Sequence, residues 1–133
     1  MLLRIKKKHS EDIVDTDRIT HIDFYECDDF GRKRRMANLN IGNLFITITR
    51  HIFTSKIKQY LHNEFFKVTT IDGNEVLINK RFVELIFKWS PSKHEDDAYE
   101  VYIKGLDEPI KVREFPAWTD VINTATGIEV KER

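Results

Sequence analysis

Four consecutive basic residues, Arg32, Lys33, Arg34 and Arg35, follow Phe30-Gly31 and give the chain its sharpest chemical signal. Guanidinium groups bind phosphate oxygens through paired hydrogen bonds, and a neighbouring aromatic ring can stack on a base. The run is therefore a candidate nucleic-acid contact. Against this stand a net charge of +0 and three acids just upstream, Glu26, Asp28 and Asp29, which cancel much of the local field. The segment reads as a polar loop that is either solvated or bound to a protein partner. A second basic patch, Lys6, Lys7 and Lys8 with His9, falls on or just after an N-terminal strand, where lysines commonly protect a sheet edge.

Residues that could do catalytic or metal chemistry are present without the required spacing. The histidines at 9, 21, 51, 62 and 94 form no HExxH pair, and Cys27 has no second cysteine with which to make half of a zinc site. Asp28-Asp29 and Asp96-Asp97 are adjacent pairs, whose side chains diverge in an extended chain. His94-Glu95-Asp96-Asp97 lacks the ordered ligand spacing and turning glycine of a calcium loop. Gly31, Gly42, Gly73, Gly105 and Gly127 are spread one per turn, so none belongs to a phosphate-cradling loop. No catalytic residue, metal or cofactor is expected.

The elements that must position these side chains follow from alternation and turn chemistry. At 133 residues with 41% hydrophobic and 33% charged residues, the chain has the composition of a folded domain. No apolar run approaches the length of a membrane helix, the N-terminus does not read as a signal peptide, and a single cysteine suits a reducing compartment. A cytoplasmic protein without membrane contact is expected.

In the second half, Phe66–Ile71 and Glu75–Ile78 alternate around Asp72-Gly73-Asn74, a hairpin signal. Phe82–Trp89 reads as a buried strand and Ser90–Asp97 as a loop. Tyr99–Ile103 and Pro109–Val112 form a further hairpin, and Pro116–Ala125 places Trp118, Val121, Ile122 and Ala125 at helical spacing. The first half repeats this order. Leu3-Arg-Ile5 lies over Phe66-Lys-Val68, Asp12-Ile13-Val14 over Val76-Leu77-Ile78, and Ile19 and Ile22 over Val83 and Ile86. Leu39, Ile41, Ile46 and Ile48 match Val101, Ile103, Ile110 and Val112. Phe53, Ile57 and Leu61 complete a helix, with Thr54 or Ser55 as its N-cap.

The reading is an α+β chain of two diverged β-rich repeats, residues 1–64 and 65–133. Each has four to five antiparallel strands and a C-terminal helix, and the two pack about a pseudo-twofold as one domain. The first repeat carries a charge of +3 and the second −3.

The second repeat resembles a known family. Phe66-Lys-Val-Thr-Thr-Ile-Asp-Gly-Asn-Glu-Val-Leu-Ile-Asn79, followed by Val83-Glu-Leu-Ile86 and a Gly-containing hairpin ending in Ile110-Lys-Val112, is similar to the pattern of the small FlbD-type flagellar proteins. The resemblance covers residues 66–122. It implies a fold of one such unit and no catalytic residues. The first repeat departs from it at Lys8-His9-Ser10-Glu11, which has no Asp-Gly turn.

Aromatic residues fall on both faces of their strands, more than one small core needs, and point to a partner surface. The functional expectation is a non-enzymatic protein-interaction module that binds a partner or a second copy. A nucleic-acid-binding accessory protein using Arg32–Arg35, with Phe30 and Lys6–Lys8 assisting, is the alternative.

Overall fold

The computed structural model of the chain describes residues 1–61, 64–89, 98–113, 118, 120–122 and 130–131. Alternation dictates most of what is seen: antiparallel strands joined by short turns, with little helix. β1 (Leu2–Lys6) and β2 (Glu11–Asp15) form a hairpin, closed where Lys7 N–H donates to Ser10 O at 2.8 Å. A 3-10 turn, Thr16–Arg18, leads into β3 (His21–Asp29), β4 (Arg32–Ile41) and β5 (Leu44–Thr49). A helical segment follows: an α turn, Arg50–Ile52 (α1), a π stretch, Phe53–Ile57, and a 3-10 turn, Lys58–Tyr60.

The order then recurs. β6 (Phe65–Thr69) and β7 (Glu75–Asn79) pair as a hairpin, and a 3-10 turn, Lys80–Phe82, leads into β8 (Val83–Trp89), β9 (Ala98–Ile103) and β10 (Ile110–Arg113). The backbone is helical again at 118 and 120–122. The expected loop 90–97 and most of the expected helix 116–125 lie outside the described residues.

Local chemistry explains the matching turns. Asp15 Oδ1 accepts from Asp17 N, and Asn79 Oδ1 accepts from Arg81 N, each capping the 3-10 turn that follows. Cross-strand registers also match. Leu3 faces Val14 as Phe66 faces Ile78, Ile22 faces Leu39 as Ile86 faces Val101, and Ala37 faces Ile48 as Tyr99 faces Val112.

The strands assemble into a five-stranded sheet, β5-β4-β3-β7-β6, a three-stranded sheet, β10-β9-β8, and the separate β1-β2 hairpin. Two apolar clusters result. Val14, Ile19, Ile22, Phe24, Leu39, Ile48, Phe53 and Ile57 pack on one, and Val68, Val76, Ile78, Val101, Val112 and Trp118 on the other. The five-stranded sheet contributes to both: Leu77 of β7 packs on the first cluster while its neighbours Val76 and Ile78 join the second, as side-chain alternation along a strand requires.

Buried polar groups hold the junction. Asn79 Nδ2 donates to Ile19 O at 2.9 Å, and its backbone N–H donates to Thr20 O at 2.9 Å. Thr20 Oγ1 lies 2.9 Å from His21 Nδ1, and Asn40 Nδ2 donates to His21 O and Asp23 Oδ2. Burial holds the His21 imidazole below its ordinary 6.5, against a weaker opposing pull from the Asp23 carboxylate. A base depressed in this way takes up a proton more readily when unfolded. The stability it contributes is complete above pH 6.5 and is lost as pH falls from there through the folded value. Urea unfolding at pH 7.5 and pH 5 should show this loss, and His21→Gln should flatten it.

One expected cap is displaced. The helical segment begins at Arg50, where Thr49 Oγ1 accepts from Ile52 N at 3.2 Å, and not at Thr54 or Ser55. Apolar spacing located the buried face of Phe53 and Ile57, but the strand end at Thr49 fixed the start. The Ser55 hydroxyl instead donates back to His51 O at 2.7 Å, within the π stretch.

Candidate functional site

The basic run is not a loop. Arg32–Arg35 open β4, and Glu26, Asp28 and Asp29 belong to β3, paired directly against them: Asp29 with Arg32, Asp28 with Lys33, Cys27 with Arg34 and Glu26 with Arg35. Opposite charges across an antiparallel pair stabilise strand structure in a segment whose composition alone suggests a loop. Two ion pairs result, Arg34–Asp29 at 3.3 Å and Arg35–Glu26 at 3.7 Å.

β3 and β4 outrun the sheet that carries them. β7 pairs with β3 only over His21–Asp23, and β5 pairs with β4 only from Met36 onward. The four pairs from Glu26/Arg35 to Asp29/Arg32 therefore make a two-stranded arm. At roughly 3.3 Å per residue it projects about 13 Å before its turn.

Phe30 and Gly31 form that turn, with φ of 51° and 82°, and Asp28 Oδ1 accepts from Gly31 N at 3.0 Å. Two successive positive φ values define the type I′ hairpin turn, whose first position favours Asn, Asp or Gly. Phe30 is the only described non-glycine residue with positive φ, and it is fully exposed. Both features are locally unfavourable for a phenylalanine.

At the base of the arm the sheet meets the helical segment. Arg50 Nη2 donates to Glu75 Oε2 at 2.7 Å, and its guanidinium lies 4.6 Å from the Phe24 ring centroid. The Arg50 hydrogen bond, with Lys67 on the other carboxylate oxygen at 3.3 Å, holds the Glu75 carboxyl below its usual range. A polar cleft of about 730 Å³ opens here, lined by residues including Tyr25, Glu26, Arg35, Arg50 and Glu75. A second cleft of about 510 Å³ is bounded by Arg34, Arg35, Thr49, Arg50, His51 and Thr54.

The N-terminal lysines are elsewhere. Lys6 ends β1 opposite Glu11, Lys7 and Lys8 lie in the hairpin turn, and Lys7 Nζ contacts Asp12 at 2.8 Å. They do not join Arg32–Arg35 in one described site. Arg50 and Glu75 were missed because nothing in their local sequence marks them, and their pairing spans 25 residues. Among the described residues no group of His, Cys, Asp and Glu is placed to hold a metal ion, and no helix is long and apolar enough to cross a membrane. No protein-family model, curated protein or solved structure matches the chain.

Proposed function

We propose that the protein is a non-enzymatic interaction module built from two copies of one β-rich unit, and that it grips a protein partner with the β3–β4 arm. The observation that carries this is Phe30, a fully exposed aromatic ring at a left-handed turn position. Strain and exposure coinciding at one tip mark a residue kept for contact with something outside the chain. The cross-strand acids support a protein partner over a polyanion, because they face Arg32, Lys33 and Arg35 across the ladder and hold Arg34 and Arg35 in ion pairs. The parallel element order, caps and registers support the duplication, with the FlbD-like pattern describing its second unit. The lone cysteine fits a cytoplasmic setting.

The test separates fold from function. Phe30→Asn suits the turn better and should stabilise the protein by about 0.5–1 kcal/mol in urea unfolding. A photoreactive phenylalanine at position 30 should cross-link a discrete protein in extracts of the source cells, and the same group at Tyr60 should not. Excess Phe30→Asn protein should fail to compete for that adduct, whereas excess wild type should succeed. Equal competition by both proteins would defeat the proposal.

A second reading is favoured by the cleft that gathers Arg34, Arg35, Arg50 and His51: binding of nucleic acid through phosphate contacts. Fluorescence anisotropy with labelled single- and double-stranded DNA and RNA decides it. The interaction-module reading predicts no binding at about 0.1 M salt, where a site neutralising several phosphates would still bind. Salt-dependent binding abolished by changing Arg32–Arg35 to Ser would establish this second reading in its place.

A further inference from the structure

β3 and β8 occupy the same place in the two halves but have different neighbours. β3 is flanked by β4 and by β7, the latter in the register His21–Ile78, Ile22–Leu77 and Asp23–Val76. Among the described residues β8 pairs with β9 alone, and β2 pairs with β1 alone. The shift that carries the cap Asp15 onto Asn79, and Ile19 onto Val83, carries the β3–β7 register onto Leu85–Val14, Ile86–Ile13 and Phe87–Asp12.

Apolar side chains for such a junction are present, and three of them are exposed. Leu77, which holds Ile13's place in β7, packs on the apolar cluster of the sheet it joins. Ile13 itself is 61% exposed, and Leu85 and Phe87 of β8 are 55% and 50% exposed. Ile86, which would face Ile13, already packs at the margin of the second cluster. The chain's own hairpin is seated on the first cluster through Leu3, Ile5 and Val14, without β8 pairing. An open strand edge beside exposed apolar residues is a template for another strand.

We infer that β2 of a second copy of this chain adds antiparallel to β8, with Ile13 covering Ile86 and Leu85 covered by the incoming hairpin. The inference rests on the two-unit reading. Made reciprocally, the contact closes a twofold dimer, and each three-stranded sheet becomes a five-stranded one in the order already seen for β5-β4-β3-β7-β6. It uses a surface separate from the arm, so the arm remains available to a different protein.

Sedimentation velocity on the full chain should show a dimer, with a dissociation constant raised at least about tenfold by Ile13→Lys and by Leu85→Lys, and unchanged by Phe30→Asn. Isotope-filtered NMR on a mixed labelled and unlabelled sample should show contacts between residues 12–14 of one chain and 85–87 of another. A strict monomer, or a dimer indifferent to both lysine variants, overturns the inference. Contacts between β2 and β8 within one chain overturn it while leaving the two-unit reading intact. Circular dichroism of the lysine variants should match wild type, because both positions are exposed.

Discussion

Gly42→Ala should destabilise the protein by about 2–4 kcal/mol, and the same change at Gly73 by only about 1 kcal/mol. Both glycines have positive φ, 60° and 87°, so each substitution carries the left-handed penalty for a residue with a Cβ. Only their surroundings differ. A Cβ at Gly42 would meet the carbonyl oxygen of Gly105 at 3.0 Å, whereas one at Gly73 would meet nothing within 4 Å. The obstacle at Gly42 is backbone, which cannot swing aside as a flexible side chain would. Gly105 is itself at φ 86°, with its own added Cβ 3.2 Å from Gly42 Cα. Gly42 and Gly105 thus bring the backbones of the β4–β5 and β9–β10 turns into close approach. Urea unfolding of Gly42→Ala, Gly105→Ala and the double variant should show non-additive costs, because one relaxation serves both. Equal costs at Gly42 and Gly73 would mean that the halves do not bear on each other there.

Asn79→Leu should cost about 2–3 kcal/mol through a different mechanism. Asn79 is fully buried, donates through Nδ2 to Ile19 O at 2.9 Å and accepts from Arg81 N at 3.0 Å. Leucine keeps the volume and removes both bonds, leaving a carbonyl within the junction without its donor. Asn79→Asp sharpens the point, since it keeps the acceptor for Arg81 and loses the donor for Ile19. It should be at least as damaging as leucine. At the matching position Asp15 already caps Asp17 as a half-buried carboxylate, so Asp15→Asn should change stability by less than about 1 kcal/mol. Thermal melts of the three variants at pH 7 measure the ordering. Tolerance of aspartate at 79 would contradict the role given to the amide.

Much of the architecture was legible because alternation and turn chemistry are local. Ile22, Leu39 and Ile48 announced core strands, and Asp72-Gly73 announced a hairpin. The arm was misread for an equally physical reason. Arg32–Arg35 look like a loop only while the acids of β3 are treated as neighbours in sequence and not as partners across a ladder. Phe30-Gly31 gave a weak signal, because a phenylalanine is an unusual first residue for a type I′ turn. The junction was invisible. Asn79 and Thr20 are ordinary polar residues, and only the pairing of β3 with β7 makes them the seam between halves. Arg50 and Glu75 were hidden likewise, each unremarkable until the fold brings them together beneath the arm.

The most direct measurement uses a shortened arm, in which residues 28–33 are replaced by Asn-Gly so that β3 turns into β4 straight after Cys27 and Arg34. These two residues already face each other, and Asn-Gly suits a two-residue hairpin. The shortened protein should keep a urea midpoint within the equivalent of about 1 kcal/mol of wild type and lose all competition for the cross-linked partner. A shortened protein that still competes, or one that unfolds several kcal/mol more easily, would contradict the claim that this arm serves binding and not the fold.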